Sequence, residues 1–489
     1  MKAIGDIETK RKFTAVASGA LSSGDTVCIK SDGTVAKAAL PVDGSLGTFT
    51  TFESATVGTV FAAYDSNAEK VVISYQDGGN SNYGTAVVGT VSGTSITFGT
   101  PVVFFSGAID QNYTGRTTEF DSNANKVVIA FIENGTRDGK AIVGTVSGTS
   151  ISFGSNATFE TDPTTNVSMT FDSSNNKIVI CYQENLFTTN GTQYAKAVVG
   201  TVSGTSISFG ASVRVNSITR NFQSYAAFDS TNNKVLIIFR TFDGAGALQV
   251  YVGTVSGTSI SFGSGNEVGS AVNNLGTIEY DSVNNKAVVF YRDDTNSGYP
   301  TAVVGTVSGT SVSFGTSTVV QTKSIGSTYL AINFDASRGV MMTACIDTAT
   351  NPDDVIINEL TVSGTSVSAN DGLVKEYYLF LSFAYDSVNE KTVFVARDMA
   401  DNYGKAAVYI EGSGGDLTAE NFIGFADAGY AIGADASVEL SGSITKAQSG
   451  LTAGQKYYVQ NDGSLGTTAD DPSIVAGTAI SATELIVKG

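Results

Sequence analysis

Apolar residues fall along this chain in short alternating runs, not at helical spacing. Residues 57–64 alternate, 70–75 (KVVISY) are largely apolar, 83–91 alternate again, and 95–104 complete the group. Period two marks a half-buried strand, and a continuous apolar run marks one covered on both faces. Asp65-Ser66, the Gly-rich polar stretch 76–82 and Ser92-Gly93-Thr94 separate the runs as turns, with Gly93 supplying a positive φ. The pattern predicts an antiparallel meander of four strands.

The group then repeats. VVGTVSGTSITFG at 87–99 returns at 142–154, 199–210, 252–263 and 304–315, and decays at 360–369. An aromatic-Asp-Ser phrase ending in Lys and an apolar run travels with it. Its aspartates are Asp65, Asp121, Asp172, Asp229, Asp281, Asp335 and Asp386, at intervals of 56, 51, 57, 52, 54 and 51 residues. Short-strand units repeating at such spacing signal radial repetition rather than a helical solenoid. The expected fold class is all-β: a seven-bladed β-propeller of four-stranded blades spanning 47–415. Residues 47–54 (GTFTTFES) resemble the end of a fourth strand and are expected to close the ring on the seventh blade.

In a four-stranded meander the first and third turns share one face of the disc, and the second turn and the crossover share the other. First and third turns barely change between units, whereas the second turns at 76–83, 132–140, 183–196, 240–249, 292–300, 347–354 and 397–403 change completely. One face is uniform and one is individualised. Loops that differ on a repeating scaffold are a usual place for binding, although drift in unconstrained loops gives the same pattern. The individualised face also carries an acid where each second strand ends: Asp77, Glu133, Glu184, Asp293 and Asp398, with Asp347 near the sixth. Arg240, Arg292 and Arg397 are interspersed, with Tyr83, Phe187, Tyr299 and Tyr403 beside them. Aromatic faces with carboxylates and guanidinium groups suit carbohydrate, and a carboxylate ring suits a hard cation. The same acids also read as plain markers of solvent at strand ends. No DxDxDG-like loop accompanies them, so no metal and no cofactor is expected.

Composition removes several function classes. The net charge of −18 argues against nucleic-acid binding. Without histidine there is no Ser-His-Asp or Cys-His scheme and no His-ligated metal. Cys28, Cys181 and Cys345 lack any paired spacing and fit folding in a reducing compartment. The N-terminal stretch has no apolar core of a Sec signal, and no run approaches membrane-spanning length, so no membrane insertion is expected. Paired carboxylates could hydrolyse a glycoside, but nothing singles out two of them, and the SxDxGxTW box is missing. An enzyme is not expected.

The termini hold a quieter repeat. LSSGDTVCIKSDGTV at 21–35 aligns without gaps to LTAGQKYYVQNDGSL at 451–465, and both read as hairpins around an Asp-Gly turn. Residues 1–46 and 416–489 are expected to form one composite β-domain, its two hairpins paired in space, with the propeller inserted between them.

The VGTVSGTSISFG units, the FDSxxNKVVIAY phrase, ENFIGF at 420–425 and the ending from 450 to 489 resemble repeat proteins of tailed, particularly marine, bacteriophages. The resemblance covers nearly the whole chain and implies a virion protein of tail-fibre type, assembled in the host cytoplasm without a signal peptide. Its implied partners are a host-surface glycan or protein at the propeller face and other virion proteins at the terminal β-domain. A homo-oligomer is also open. Alternatives are a capsid decoration, head-fibre or tail-collar protein with the propeller as spacer and, further behind, a polysaccharide depolymerase. The family offers no catalytic residue to carry over.

Overall fold

A computed structural model describes residues 11–30, 33–38, 44–111, 115–186, 191–241, 247–268, 273–326, 329–348, 354–370, 372–375, 377–411, 417–418, 420–470 and 473–488. Among these the only helical element is the 3-10 turn Gly78–Asn80, and no helix is long and apolar enough to cross a membrane. The chain divides into two units, residues 45–410 and residues 1–44 with 411–489.

Residues 45–410 form seven antiparallel sheets, six of them built from consecutive strands and the seventh completed by the start of the segment. In the first blade the inner strand Val57–Asp65 pairs with Lys70–Asp77, which pairs with Tyr83–Ser92. The inner strands of successive blades neighbour one another around the full circle, and the seventh, Tyr378–Asp386, returns to Val57–Asp65. That closed circuit is the seven-bladed propeller. The second strands are the most deeply covered: Val71, Val72 and Ile73, and their counterparts Val127, Val128 and Ile129, are buried between blades. This is why they read as unbroken apolar runs.

Each first turn is tied by its aspartate. Asp65, almost fully buried, accepts from the backbone N–H groups of Asn67 and Ala68 at 3.0 and 2.9 Å. Asp121, Asp172, Asp229, Asp281 and Asp386 repeat the arrangement. The residue before the lysine is left-handed, with φ of 52–56° at Asn125, Asn176, Asn233 and Asn285. Asparagine tolerates that region better than most side chains, which accounts for the Asn-Lys ending of the phrase.

The fourth strand differs from the expected single element. It is broken in two: Ser95–Phe98 and Val102–Ala108 pair separately with Tyr83–Ser92, and every blade repeats the break. In every blade but the sixth, which has Asn370 there, the break sits at the glycine that follows the first half of the strand. A Cβ on Gly99, Gly154, Gly210, Gly263 or Gly315 would overlap the carbonyl oxygen of Thr149, Thr205, Thr258, Thr310 or Thr365, in the third turn of the following blade. Gly47 meets Thr94 in the same way. The strand therefore bends where neighbouring blades touch backbone to backbone. Aromatic rings seal the same seams, with Phe98 on Phe52, Phe153 on Phe104 and Phe209 on Phe159 at centroid separations of 5.6–5.8 Å.

Ring closure follows the same rule. Ser45–Leu46 and Thr50–Glu53 supply the broken outer strand of the seventh blade by pairing with Gly404–Ile410. Phe52 covers Gly404 as Phe104 covers Gly84. Ser45 and Leu46 thus belong to the propeller, not to the terminal unit. The two ends of the propeller segment pair directly, Ile410 with Ser45, where the other blades carry their Ser-Gly-Thr turn.

The terminal unit contains two five-stranded sheets of identical order. One runs Lys12–Val16, Asp435–Leu440, Phe422–Ala426, Thr26–Ile29, Val35–Lys37; the other runs Ile444–Thr445, Leu485–Val487, Ile474–Ala479, Lys456–Val459, Leu465–Gly466. The two hairpins therefore do not pair strand to strand as expected. Each lies in its own copy of a repeated module, and only the first copy is interrupted by the propeller. Their matching geometry explains their matching sequence. Gly24 and Gly454 have φ of 87° and 83°, and Gly33 and Gly463 have 84° and 80°. The copies still touch: Thr26 Oγ1 donates to the Gly463 carbonyl at 2.7 Å, and Cys28, Phe422 and Phe425 share a core with Tyr457, Val459 and Ile474.

Gly154→Ala is expected to lower stability by about 3 kcal/mol, the upper end of overpacking costs, because its Cβ would meet backbone and not a yielding side chain. Gly148→Ala, with φ of 60° but open space around it, should cost only about 1–2 kcal/mol. Urea unfolding midpoints give the order; a Gly154 variant at least as stable as the Gly148 variant would show that the seam is not tight.

Candidate functional site: the axial cavity

The acids of the individualised face sit where the sequence places them, at the ends of the second strands, but they are engaged locally. Asp77 caps the turn at Asn80 N, 3.1 Å away. Glu133 pairs with Lys140 at 2.5 Å, which holds its carboxyl below the usual range. Glu184 pairs with Lys196 at 2.6 Å, and Asp293 caps Thr295 N at 3.0 Å. Asp347 pairs with Lys323 at 3.4 Å, and Asp398 with Lys405 at 2.6 Å. Burial works against the Lys405 charge, but its bonds to Asp398 and Asp401 push it up to about 12. These turns join second to third strands, so the acids lie out along the blades and do not converge. Asp77, Glu184, Asp347 and Asp398 are also buried, so they are not solvent markers, whereas Glu133 and Asp293 are half-exposed.

Among the described residues one group of three acids, Glu160, Asp162 and Glu184, brings its oxygens within 4.8 Å of one another. Lys196 Nζ already bonds both Glu160 and Glu184, at 2.5 and 2.6 Å. Burial acts to raise Glu160, yet its bonds to Lys196 and to Tyr182 leave it below the ordinary value. An ammonium fills the place a cation would take.

The arginines stitch blades together. Arg292 Nε donates to the Ile325 carbonyl at 2.8 Å, and Arg397 donates to the Val57 carbonyl at 3.2 Å. Gln76 and Gln183, at the equivalent positions, reach the carbonyls of Ile109 and Asn221. Arg240 is half-buried, and that burial lowers its basicity despite Asp294 nearby. Tyr83 and Tyr299 open third strands and pair with Asp77 and Asp293. Tyr403 closes its turn on Asp398 N. Phe187 lies outside the described residues. Of the residues named from sequence, Arg397 alone approaches a cavity: its guanidinium stacks 4.7 Å from the centre of the Phe380 ring.

Phe380 belongs to a cavity of about 250 Å³ lined by the inner strands or their approaches in all seven blades, which places it on the propeller axis. Aromatic faces come from Phe61, Tyr225, Tyr329, Phe380 and Phe383, and polar edges from Thr59, Gln111, Asn166, Thr277 and Ser382. Tyr225 OH reaches the Leu330 carbonyl, 3.4 Å away, from the fourth blade to the sixth. Among the described lining residues there is no Asp or Glu.

Thr59, Gly115, Asn166, Tyr329 and Phe380 occupy one register position, six residues before their Asp-Ser turns. The inner strands carry β-bulges here in the first, third, fourth, fifth and seventh blades. Asn166, Tyr329 and Phe380 have φ of 52°, 66° and 53°. Left-handed backbone costs about 1–3 kcal/mol at a non-glycine residue, most plainly at a bulky aromatic. Such outliers cluster at ligand-binding positions.

An ionic bridge crosses the axis beside the cavity. Arg116, a lining residue in the second blade, bonds Glu119 at 3.1 Å and also bonds Glu279 of the fifth blade. Blades three steps apart in a ring of seven face each other across its centre, so this contact spans the channel. Burial raises the Glu119 carboxyl despite the adjacent guanidinium, with Glu279 adding to the rise. Both glutamates lie two residues before their turn aspartates, nearer the uniform face than Phe380. Sequence reasoning passed over these positions because it compared loops. Comparing the inner strands column by column would have found them: the column of Thr59, Asn166, Tyr329 and Phe380 is as varied as any loop.

Lys196→Met should cost about 3–5 kcal/mol near neutral pH, because it strands two buried carboxylates. With Lys196 present, the depressed Glu160 adds stability above its unfolded pKa, and this is lost as pH falls through its folded pKa. In the variant the carboxyl is raised instead, so its penalty is relieved as pH falls. Urea midpoints of the two proteins are expected to converge between about pH 7 and about pH 4; a constant gap would contradict the ion-pair assignment.

No family model matches the chain, and no curated protein does. Among solved structures it is similar to the BP39L lectin of Burkholderia pseudomallei, with a TM-score of 0.52 at 10% identity, over 74% of this chain and 99% of the lectin. Weaker likenesses are to AofleA of Arthrobotrys oligospora in an arginine-to-alanine triple mutant (TM-score 0.42, 9% identity, 74% and 98% of the two chains) and to leech intramolecular trans-sialidase (0.41, 11%, 76% and 70%). At these identities the likeness to the lectin establishes the fold: a β-propeller.

Proposed function

We propose that this chain is a non-catalytic virion protein of a tailed bacteriophage, a tail fibre or appendage whose propeller binds a host-surface receptor. The observation that carries the binding reading is the axial cavity, with its aromatic walls, polar edges and strained residues aimed inward. Binding sites are concave and mostly apolar, with a few placed polar groups, and this cavity has that make-up. A propeller lectin as structural neighbour is consistent with a glycan receptor. The absence of carboxylates among the described lining residues favours binding over hydrolysis, since glycosidases flank the scissile bond with a pair. The virion reading rests on the resemblance of the repeat units to phage proteins. The terminal unit then docks to other virion proteins.

Purified protein is expected to compete with phage particles for adsorption to host cells, and antibody against it should label the distal tail. Label confined to the head would replace this reading with capsid decoration. Release of reducing ends from host polysaccharide would replace it with a depolymerase.

A further inference from the structure

We propose that the axial cavity takes one neutral sugar ring, the end of a glycan chain, and excludes acidic sugars. This rests on the reading of the propeller as a receptor-binding protein and names the ligand class of its site. A cavity of about 250 Å³ falls just below the ~300 Å³ at which drug-sized clefts begin, which suits a single ring and not an extended chain. Tyr329 and Phe380 meet edge-to-face on one side of it, with ring centroids 4.7 Å apart, and Tyr225 lines it from the fourth blade. Aromatic rings offer flat apolar surface to the C–H faces of a pyranose. Thr59, Thr277 and Gln111 bring hydroxyl and amide groups that match the hydroxyl edge of a sugar.

The charge arrangement decides between neutral and acidic sugars. Among the described residues lining the cavity the charged one is Arg116, and it is committed to Glu119 and Glu279. The three groups carry one cation against two carboxylates. An entering carboxylate would meet no unspent positive charge among the described lining residues and would be repelled in a site where solvent screens poorly. At the rim, Arg397 is taken up by the Val57 carbonyl, Met399 Sδ and the Phe380 face, and burial lowers its basicity. A neutral ring avoids this penalty and keeps the apolar and hydrogen-bonding contacts.

The full-length chain would be screened on an array of neutral and acidic glycans, then competed with methyl glycosides of neutral hexoses, 6-deoxyhexoses, glucuronic acid and sialic acid. The expected result is binding to neutral non-reducing ends, inhibited by a neutral glycoside alone. Phe380→Ala should weaken it by at least ~10-fold, a change of about 1.4 kcal/mol. The near-isosteric Thr59→Val should also weaken it while leaving the unfolding midpoint close to that of the parent. Glu279→Gln removes the surplus charge and releases part of Arg116, so it should admit glucuronide. Glycan binding that survives both Phe380→Ala and Thr59→Val, or that selects acidic glycans in the parent, would overturn the cavity assignment and leave the receptor-binding reading standing. A parent that binds no glycan on the array but still adsorbs to host cells would also overturn it. Failure to adsorb to host cells would overturn the receptor reading itself.

Discussion

Contact between glycine and carbonyl at the blade seams is the constraint on which the rest of this propeller depends. Gly99, Gly154, Gly210, Gly263 and Gly315 each lie against a threonine carbonyl of the next blade, and Gly47 does the same where the chain closes on itself. A side chain at any of them would hold neighbouring blades apart. Because six of the seven joints are made from the same few atoms, small misfits would accumulate around the ring, and the sequence repeats most strictly where tolerance is least. The buried Asp-turn aspartates do the same work at the inner edge. A scaffold fixed at these points leaves the axial residues free to be strained, as Tyr329 and Phe380 are.

The architecture was legible because its causes are local and repeated. Seven aspartate turns, six of them Asp-Ser, the Ser-Gly-Thr turns and the apolar second strands each carry their explanation within a few residues. The closing strand was readable too, since Phe52 matches Phe104 and covers an equivalent glycine. The terminal unit was only half legible. Its two hairpins share a sequence because they share turn geometry, yet strand partners far along the chain decide which sheet each joins. An alignment of hairpins carries no information about those partners.

The site was less legible, and for a physical reason. Charged residues in variable loops attract attention, but a chain rich in carboxylates satisfies most of them locally. Glu133, Glu184 and Asp398 each find a lysine on the adjacent third strand. Arg292 and Arg397 serve backbone carbonyls across the seams. What converges is set by the propeller axis, where residues far apart in sequence meet because each occupies the same place in its own blade. Arg116 and Glu279, 163 residues apart, illustrate this.

The central claim is that the ligand site lies on the axis and not on the loops. A crystal structure of the chain soaked with the neutral glycoside that best competes for binding tests it most directly. The account predicts density for one sugar ring in the axial cavity, packed against Phe380 and Tyr329, with the Arg116 bridge intact. An empty axis with the sugar held between blades or on the second turns would contradict it.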